Sequence, residues 1–254
     1  MKELAISAAK EAGLVLMKDF GEEGKVRIKP GGEPVTDSDI RSEKRIIDII
    51  RERYPSHSIL SEEGGLLKGD LDYIWMVDPL DGTRNFIRKL PYFGVSIALE
   101  HEGRVILGVV NLPYFDELYV AERGKGAYLN GKRIAVSNRG LKESLLLYES
   151  KFHKMPKLTV TPLRDLASSV NTVRVLGVTS MSLSLIASGR AEAYIAYAVK
   201  PMDIAGGAII LEEAGGVITD LNGNAWSPYM KRIVATNGVV HGKILEILRR
   251  RLIV

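Results

Sequence analysis

The stretch Ile74-Trp-Met-Val-Asp78-Pro-Leu-Asp81-Gly-Thr83-Arg-Asn-Phe86 decides how this chain is read. Its first four residues are all apolar, the length and composition of a short buried strand. Two carboxylates, Asp78 and Asp81, follow with only Pro79 and Leu80 between them. Gly82 and Thr83 then lead into a helical turn. Acids at a strand end offer hard oxygen ligands to a divalent cation. The free N–H groups of a helix start offer donors to a phosphate. A turn rich in turn formers would be spelled with the same letters, so the reading depends on what the rest of the chain supplies.

The 254 residues are 46% hydrophobic and 26% charged, the balance of an ordinary globular protein of one or two domains. With no Cys, disulfides, thiolate chemistry and cysteine zinc sites are excluded. No apolar run is long enough to span a bilayer and no signal peptide is visible, so a cytoplasmic protein without a membrane partner is expected. The net charge of +4 favours anionic ligands. The basic residues are scattered, with no basic run interleaved with aromatics of the kind single-strand binders need. The expected partner is therefore a small phosphorylated substrate and not nucleic acid. Gln is absent while Glu, Lys, Arg and Ile abound, a composition expected of a thermophile.

The apolar spacing predicts a helix over residues 2–20, a strand from 25 breaking into a mobile loop at Pro30-Gly31-Gly32, and a second helix from the Thr36-Asp37-Ser38-Asp39 start to Tyr54. In that helix Ser38 reads as an N-cap and Asp39 as a favourable first-turn charge. Residues 58–61 form a short strand that exits through Glu62-Glu63-Gly64-Gly65. After the quoted stretch come antiparallel strands, the last two joined by the Asn130-Gly131 hairpin signal. Residues 137–172 read as a mixed connector. Strands and helices then alternate to the C-terminus. The fold class is α/β: a mixed, largely antiparallel N-terminal sheet in residues 1–140, with helices on it and most of the candidate ligands, and a smaller C-terminal α/β layer in residues 141–254 that contributes Asp203.

Five acids fall at the ends of buried elements: Asp39, Glu62, Asp78, Asp81 and Asp203. Each alone has a plain explanation as cap, turn or solvated loop. Together they are what a two-metal phosphoesterase needs, with cations about 4 Å apart clamping the phosphoryl oxygens and ionising a water.

The chain also resembles the inositol monophosphatase family. Asp78-Pro-Leu-Asp-Gly-Thr83 with Trp75 upstream resembles that family's first signature, and Met202-Asp203-Ile-Ala-Gly-Gly-Ala with Glu212-Glu-Ala-Gly-Gly216 its second. Val35-Thr36-x-x-Asp39 and Ser61-Glu62-Glu63 match two further segments. The resemblance implies a layered αβαβα sandwich of the sugar-phosphatase superfamily and a homodimer. It implies two or three Mg²⁺ per active site, one held by Glu62, Asp78 and the Leu80 carbonyl, another by Asp78, Asp81 and Asp203. Thr83, bonded toward Asp39, would orient or activate the attacking water, with Glu62 part of the catalytic set. The N–H groups of Gly82 and Thr83 would hold the phosphate, Asp81 and Asp203 would face the substrate, and residues 29–34 would be a mobile catalytic loop. The type implied is a broad inositol-1-phosphatase and fructose-1,6-bisphosphatase of the archaeal kind.

Two departures stand out. Met202 replaces the usual Trp before Asp203, an apolar exchange that leaves the ligand alone. Ala196 stands where inositol-specific members carry an acid, which argues against strict inositol specificity. Lys200, Arg164, Arg174 and Arg190 are the cations expected to meet a second phosphate. A haloacid-dehalogenase-type site is excluded because one residue, not two, separates its acids and its motif lies near the N-terminus. A phosphatase for 3′-phosphoadenosine 5′-phosphate or NADP would share the metal site, and a catalytically silent metal-binding protein would not need Thr83.

Overall fold

The computed structural model describes residues 1–22, 24–149 and 151–252. The first helix, α1 (Lys2–Asp19), buries Ala5, Ala8, Ala9, Ala12 and Leu16 on one stripe. The expected loop after it is a hairpin, β1 (Val26–Ile28) and β2 (Pro34–Thr36), closed by Lys29 N–H donating to Glu33 O at 2.8 Å. Gly31 and Gly32 supply the positive φ of its turn. Next come α2 (Asp37–Arg53), β3 (His57–Ser61), β4 (Gly65–Leu67), β5 (Asp70–Asp81) and the short α3 (Thr83–Ile87). The meander β6 (Gly94–His101), β7 (Arg104–Leu112), β8 (Glu117–Glu122), β9 (Ala127–Leu129) and β10 (Lys132–Ile134) completes the first half. Asn130 and Gly131, both at positive φ, make its last turn as expected.

These strands form one eight-stranded sheet in the order β10-β9-β8-β7-β6-β5-β3-β4, antiparallel except where β3 runs parallel to β5. β5 continues through the quoted acids, and its pairing with β6 slips between Asp78 and Asp81. That bulge bends the strand and re-aims both carboxylates.

Over its described residues the connector expected at 137–172 includes a strand and a helix, which corrects that reading. It holds β11 (Leu145–Tyr148) and α4 (Pro156–Ala167). The run Leu-Leu-Leu-Tyr is a strand with helices packed on both faces of its sheet, and such strands carry no alternation for a sequence to show. Pro156 sits in the first helical turn, where its missing N–H costs nothing. Then follow β12 (Thr172–Arg174), α5 (Thr179–Ala187), β13 (Ala193–Ala196), α6 (Pro201–Glu213), β14 (Val217–Thr219), β15 (Ile233–Thr236) and α7 (His241–Leu252). Five of these strands pair in the order β12-β11-β13-β15-β14.

Five layers result. α1 and α2 pack on one face of the large sheet around Trp75, Val77 and Ile97. α5 and α6 fill the space between the two sheets, with Leu183, Ile204 and Ile210 meeting Val110 and Tyr119 on one side and Tyr194 and Ala235 on the other. α4 and α7 cover the outer face of the small sheet. This is the αβαβα sandwich.

α6 approaches the large sheet closely because both partners are glycine. A Cβ on Gly108 of β7 would lie 2.5 Å from the Gly206 carbonyl oxygen. That seat places the start of α6, and with it Asp203, beside the bulge in β5.

Candidate active site

Asp39 is wholly buried and does two jobs. The N-cap of α2 is Thr36, not Ser38, and Asp39 sits at the third helical position, completing a capping box. Its Oδ2 accepts from Thr36 N–H at 2.8 Å and from Thr36 Oγ1 at 2.5 Å. Its Oδ1 accepts from Thr83 Oγ1 at 3.0 Å, across 44 residues of sequence. The structural and functional explanations of this residue are therefore compatible. Thr83 Oγ1 also lies 3.1 Å from Leu80 O. One hydroxyl proton serves these two acceptors, which leaves oxygen lone pairs to accept from a water in the cavity.

Asp78 and Asp81 are 2% and 9% exposed. Asp78 Oδ1 accepts from Leu80 N–H at 3.1 Å, which folds the Pro79-Leu80 link back on the carboxylate. Asp81 Oδ2 accepts from Ser180 N–H at 2.7 Å, in the first turn of α5, where the helix dipole favours a negative charge. Gly82 has φ of +100°, and a Cβ there would meet Tyr92 O at 2.7 Å, so glycine is needed to turn the chain into α3. Asp203 is the third residue of α6, in its first turn, with Lys200 N–H donating to its Oδ2 at 2.9 Å.

Burial and mutual repulsion hold these acids unusually basic. Asp78 is pushed well above the usual carboxylate range by burial, then by the charges of Glu62, Asp81 and Asp203. Asp81 is raised to about 7 by burial and by Asp203. Asp203 is raised to about 6 by burial and by Glu62. Asp39 is also raised, by burial, against the pull of its hydrogen bonds.

Glu62 differs. Its Oε1 accepts from Lys200 Nζ at 3.0 Å and from Lys29 Nζ at 3.4 Å. Lys200 also reaches Glu33 at 2.8 Å, and Lys29 reaches Glu63 at 2.8 Å. The β1–β2 turn is thus tied over the site by two lysines. Among the described residues no three acids converge as a ready-made cation cage. The donor set nevertheless suits a hard cation: carboxylates and the Leu80 carbonyl, all oxygen. Among the described residues Asp78, Asp81 and Asp203 have no ion-paired lysine or arginine, so a cation would answer two buried carboxylates and a half-buried one. It would have to take Glu62 from two ammonium groups.

Glu62, Asp78, Leu80, Asp81, Gly82, Thr83, Lys200 and Asp203 all line one cavity of about 440 Å³. Asp39 stands behind it. The other expected cations lie elsewhere. Arg190 makes a two-pronged ion pair with Glu117, both bonds 2.8 Å, and bonds the Tyr119 hydroxyl. Arg164 is exposed beside Asp165, and Arg174 bonds Thr172 and the Val173 carbonyl. None of the three lines the cavity. Arg164 and Arg174 sit on elements and Arg190 in the turn after α5, and where each faces depends on packing that spacing does not encode. The basic side chains that do line it are Arg84, Arg88, Lys151, His153, Lys154 and Lys200. Arg84 and Arg88 share one face of α3 and its end, four residues apart, and Arg84 donates to Gly32 O at 3.0 Å. Lys151, His153 and Lys154 lie in the supposed connector, where a cluster of three basic residues within four was the available signal. Ala196 is buried in the core.

The chain matches the profile of the inositol monophosphatase family over residues 1–252. The fructose-1,6-bisphosphatase/inositol-1-monophosphatase of Thermotoga maritima is 34% identical over 255 residues, 97% of this chain and 94% of that protein. A Nus factor SuhB of Pasteurella multocida is 39% identical over 229 residues, 88% and 86% of the two chains. The crystal structure of an extragenic suppressor protein suhB from Bartonella henselae superposes with a TM-score of 0.94 at 32% identity, covering 98% of each chain.

Proposed function

Because the chain belongs to the inositol monophosphatase family and is a phosphoric monoester hydrolase, we propose that it hydrolyses small sugar or cyclitol phosphates with Mg²⁺ as cofactor. The observation that carries this reading is the Thr83 hydroxyl bonded to buried Asp39 beside the buried Asp78 and Asp81 and the half-buried Asp203, none of them ion-paired among the described residues. Glu62, Asp78, Asp81, Asp203 and the Leu80 carbonyl are the residues that would hold the cations. Bound there, Mg²⁺ supplies charge neutralisation and makes a water ionisable near neutral pH. The chain's own groups do the rest. Asp39 keeps the Thr83 proton engaged, so Thr83 Oγ1 would accept a hydrogen bond from the attacking water and fix its approach. The N–H groups at the start of α3 have no helical acceptor and face the phosphate. Inversion at phosphorus then needs no covalent enzyme intermediate.

The cationic rim of Arg84, Arg88, Lys151 and Lys154 supports substrates carrying more negative charge than one phosphate, fructose 1,6-bisphosphate as well as inositol 1-phosphate. Lys200 stands between this rim and the acids. A homodimer is the assembly proposed. The test is phosphate release at matched Mg²⁺ from inositol 1-phosphate, fructose 1,6-bisphosphate, NADP and 3′-phosphoadenosine 5′-phosphate, with and without chelator. Turnover of the first two that stops in excess chelator is expected. Equal turnover in chelator refutes the metal role, and a strong preference for the nucleotides refutes the substrate class.

A further inference from the structure

The inner face of α2 carries a buried polar stripe at positions 39, 42 and 43, one helical turn of i, i+3 and i+4 neighbours. A helix packed on a sheet normally spends such positions on apolar contacts. Ser42 is fully buried and Glu43 is 7% exposed. Asp39 is explained by its bond to Thr83, and the other two have equally defined partners. Ser42 Oγ donates to Pro79 O at 2.8 Å, in the middle of the bulge that separates Asp78 from Asp81. Glu43 Oε2 accepts from Glu63 N–H at 2.9 Å, the residue next to Glu62. The other oxygen, Oε1, lies where Gly64 would carry a side chain, 2.8 Å from an ideal Cβ. The turn carrying Glu62 is therefore shaped around this carboxylate.

We propose that Ser42 and Glu43 are positioning residues, through which α2 holds the 78–81 bulge and the 61–64 turn in the mutual placement that cation binding requires. The inference rests on the metal-site reading above. A carboxylate that accepts a backbone N–H across an element boundary is directional and has only acceptor atoms. An amide of the same shape can turn a donor toward that N–H. The ligand-bearing segments come from β3 and β5, which touch α2 at different places, so the helix is a common reference for both. Groups that hold metal ligands without touching the metal typically change its affinity by about 10- to 100-fold when removed.

The experiment measures Mg²⁺ binding to the full chain by calorimetry, well below the unfolding temperature, for wild type, Glu43→Gln, Ser42→Ala and Ile46→Val. Ile46 is a core residue on the same helix, and its variant reports lost packing alone. The expected result is a rise of about tenfold or more in the dissociation constant for Glu43→Gln and a smaller rise for Ser42→Ala, with Ile46→Val unchanged although its melting temperature falls. Wild-type affinity in both Ser42→Ala and Glu43→Gln overturns the inference, as does an equal rise in Ile46→Val. If Glu43→Gln does not fold, Ser42→Ala decides in the same way. Wild type that binds no Mg²⁺ overturns the metal-site reading itself, an outcome distinct from the others.

Discussion

Replacing Gly108 by Ala tests whether the seat of α6 on the large sheet sets the position of Asp203. The new Cβ would stand 2.5 Å from the Gly206 carbonyl oxygen and 2.4 Å from Ile209 Cγ2. The Ile209 methyl can swing away, but the carbonyl belongs to the helix backbone. Ordinary contact begins near 3.4 Å, so the gap is short by 3.4 − 2.5 = 0.9 Å. Either the helix lifts by that amount or the strand does. Overpacking of this kind costs about 1–3 kcal/mol, which for a chain of this size lowers the melting temperature by roughly 2–12 °C. Asp203 lies three residues before Gly206 in the same helix and must move with it. Mg²⁺ tolerates ligand misplacement of only about 0.2 Å. The half-saturating Mg²⁺ concentration should therefore rise at least about tenfold, read from calorimetric titration and from the Mg²⁺ dependence of turnover. Gly206→Ala is the milder companion, because its Cβ meets the rotatable Ser96 hydroxyl at 2.7 Å. A Gly108→Ala protein with a lowered melting temperature but Mg²⁺ dependence within twofold of wild type would refute the reasoning.

Thr83→Ala and Asp39→Asn should each lower kcat by about 10²- to 10⁴-fold while leaving Mg²⁺ affinity nearly unchanged, since neither is proposed to touch the metal; steady-state kinetics across Mg²⁺ concentrations separates the two effects. The raised pKa values of Asp78, Asp81 and Asp203 have a definite sign for stability. Folding favours the protonated acids, a contribution fully present below the ordinary value of 3.8 and lost as pH rises through about 6 and 7. Calorimetry in chelator should show the melting temperature falling from pH 5 to pH 8, and the increment from added Mg²⁺ growing over the same range; a flat increment contradicts it. Arg190→Ala should leave kcat and KM unchanged and lower stability by about 1–2 kcal/mol, by loss of the half-buried Glu117 pair; a large KM change for fructose 1,6-bisphosphate would return Arg190 to the site.

Much of the fold was legible because local patterns and tertiary outcome agree. Helical spacing marks α1 and α2, and Asn130-Gly131 marks its hairpin. Residues 145–148 carry no alternation, because helices cover both faces of that strand, and α4 went unread with them. Five acids could be picked from the sequence because each lies at or within three residues of an element end, a property of the chain read locally. The cations could not be picked that way. Arg190 reads like any rim arginine until Glu117, 73 residues earlier, closes on it.

The sequence by itself determined the family, most of the elements and a set of candidate acids, because caps, turns and ligand chemistry act over a few residues. Only the tertiary structure decided what those acids meet. The quoted stretch becomes a bulge whose two aspartates face Asp203 across a glycine-to-glycine seat, and Ser42 and Glu43 become its supports. Those relations are distances between segments far apart in the chain. They are set by how layers pack, which no local pattern records.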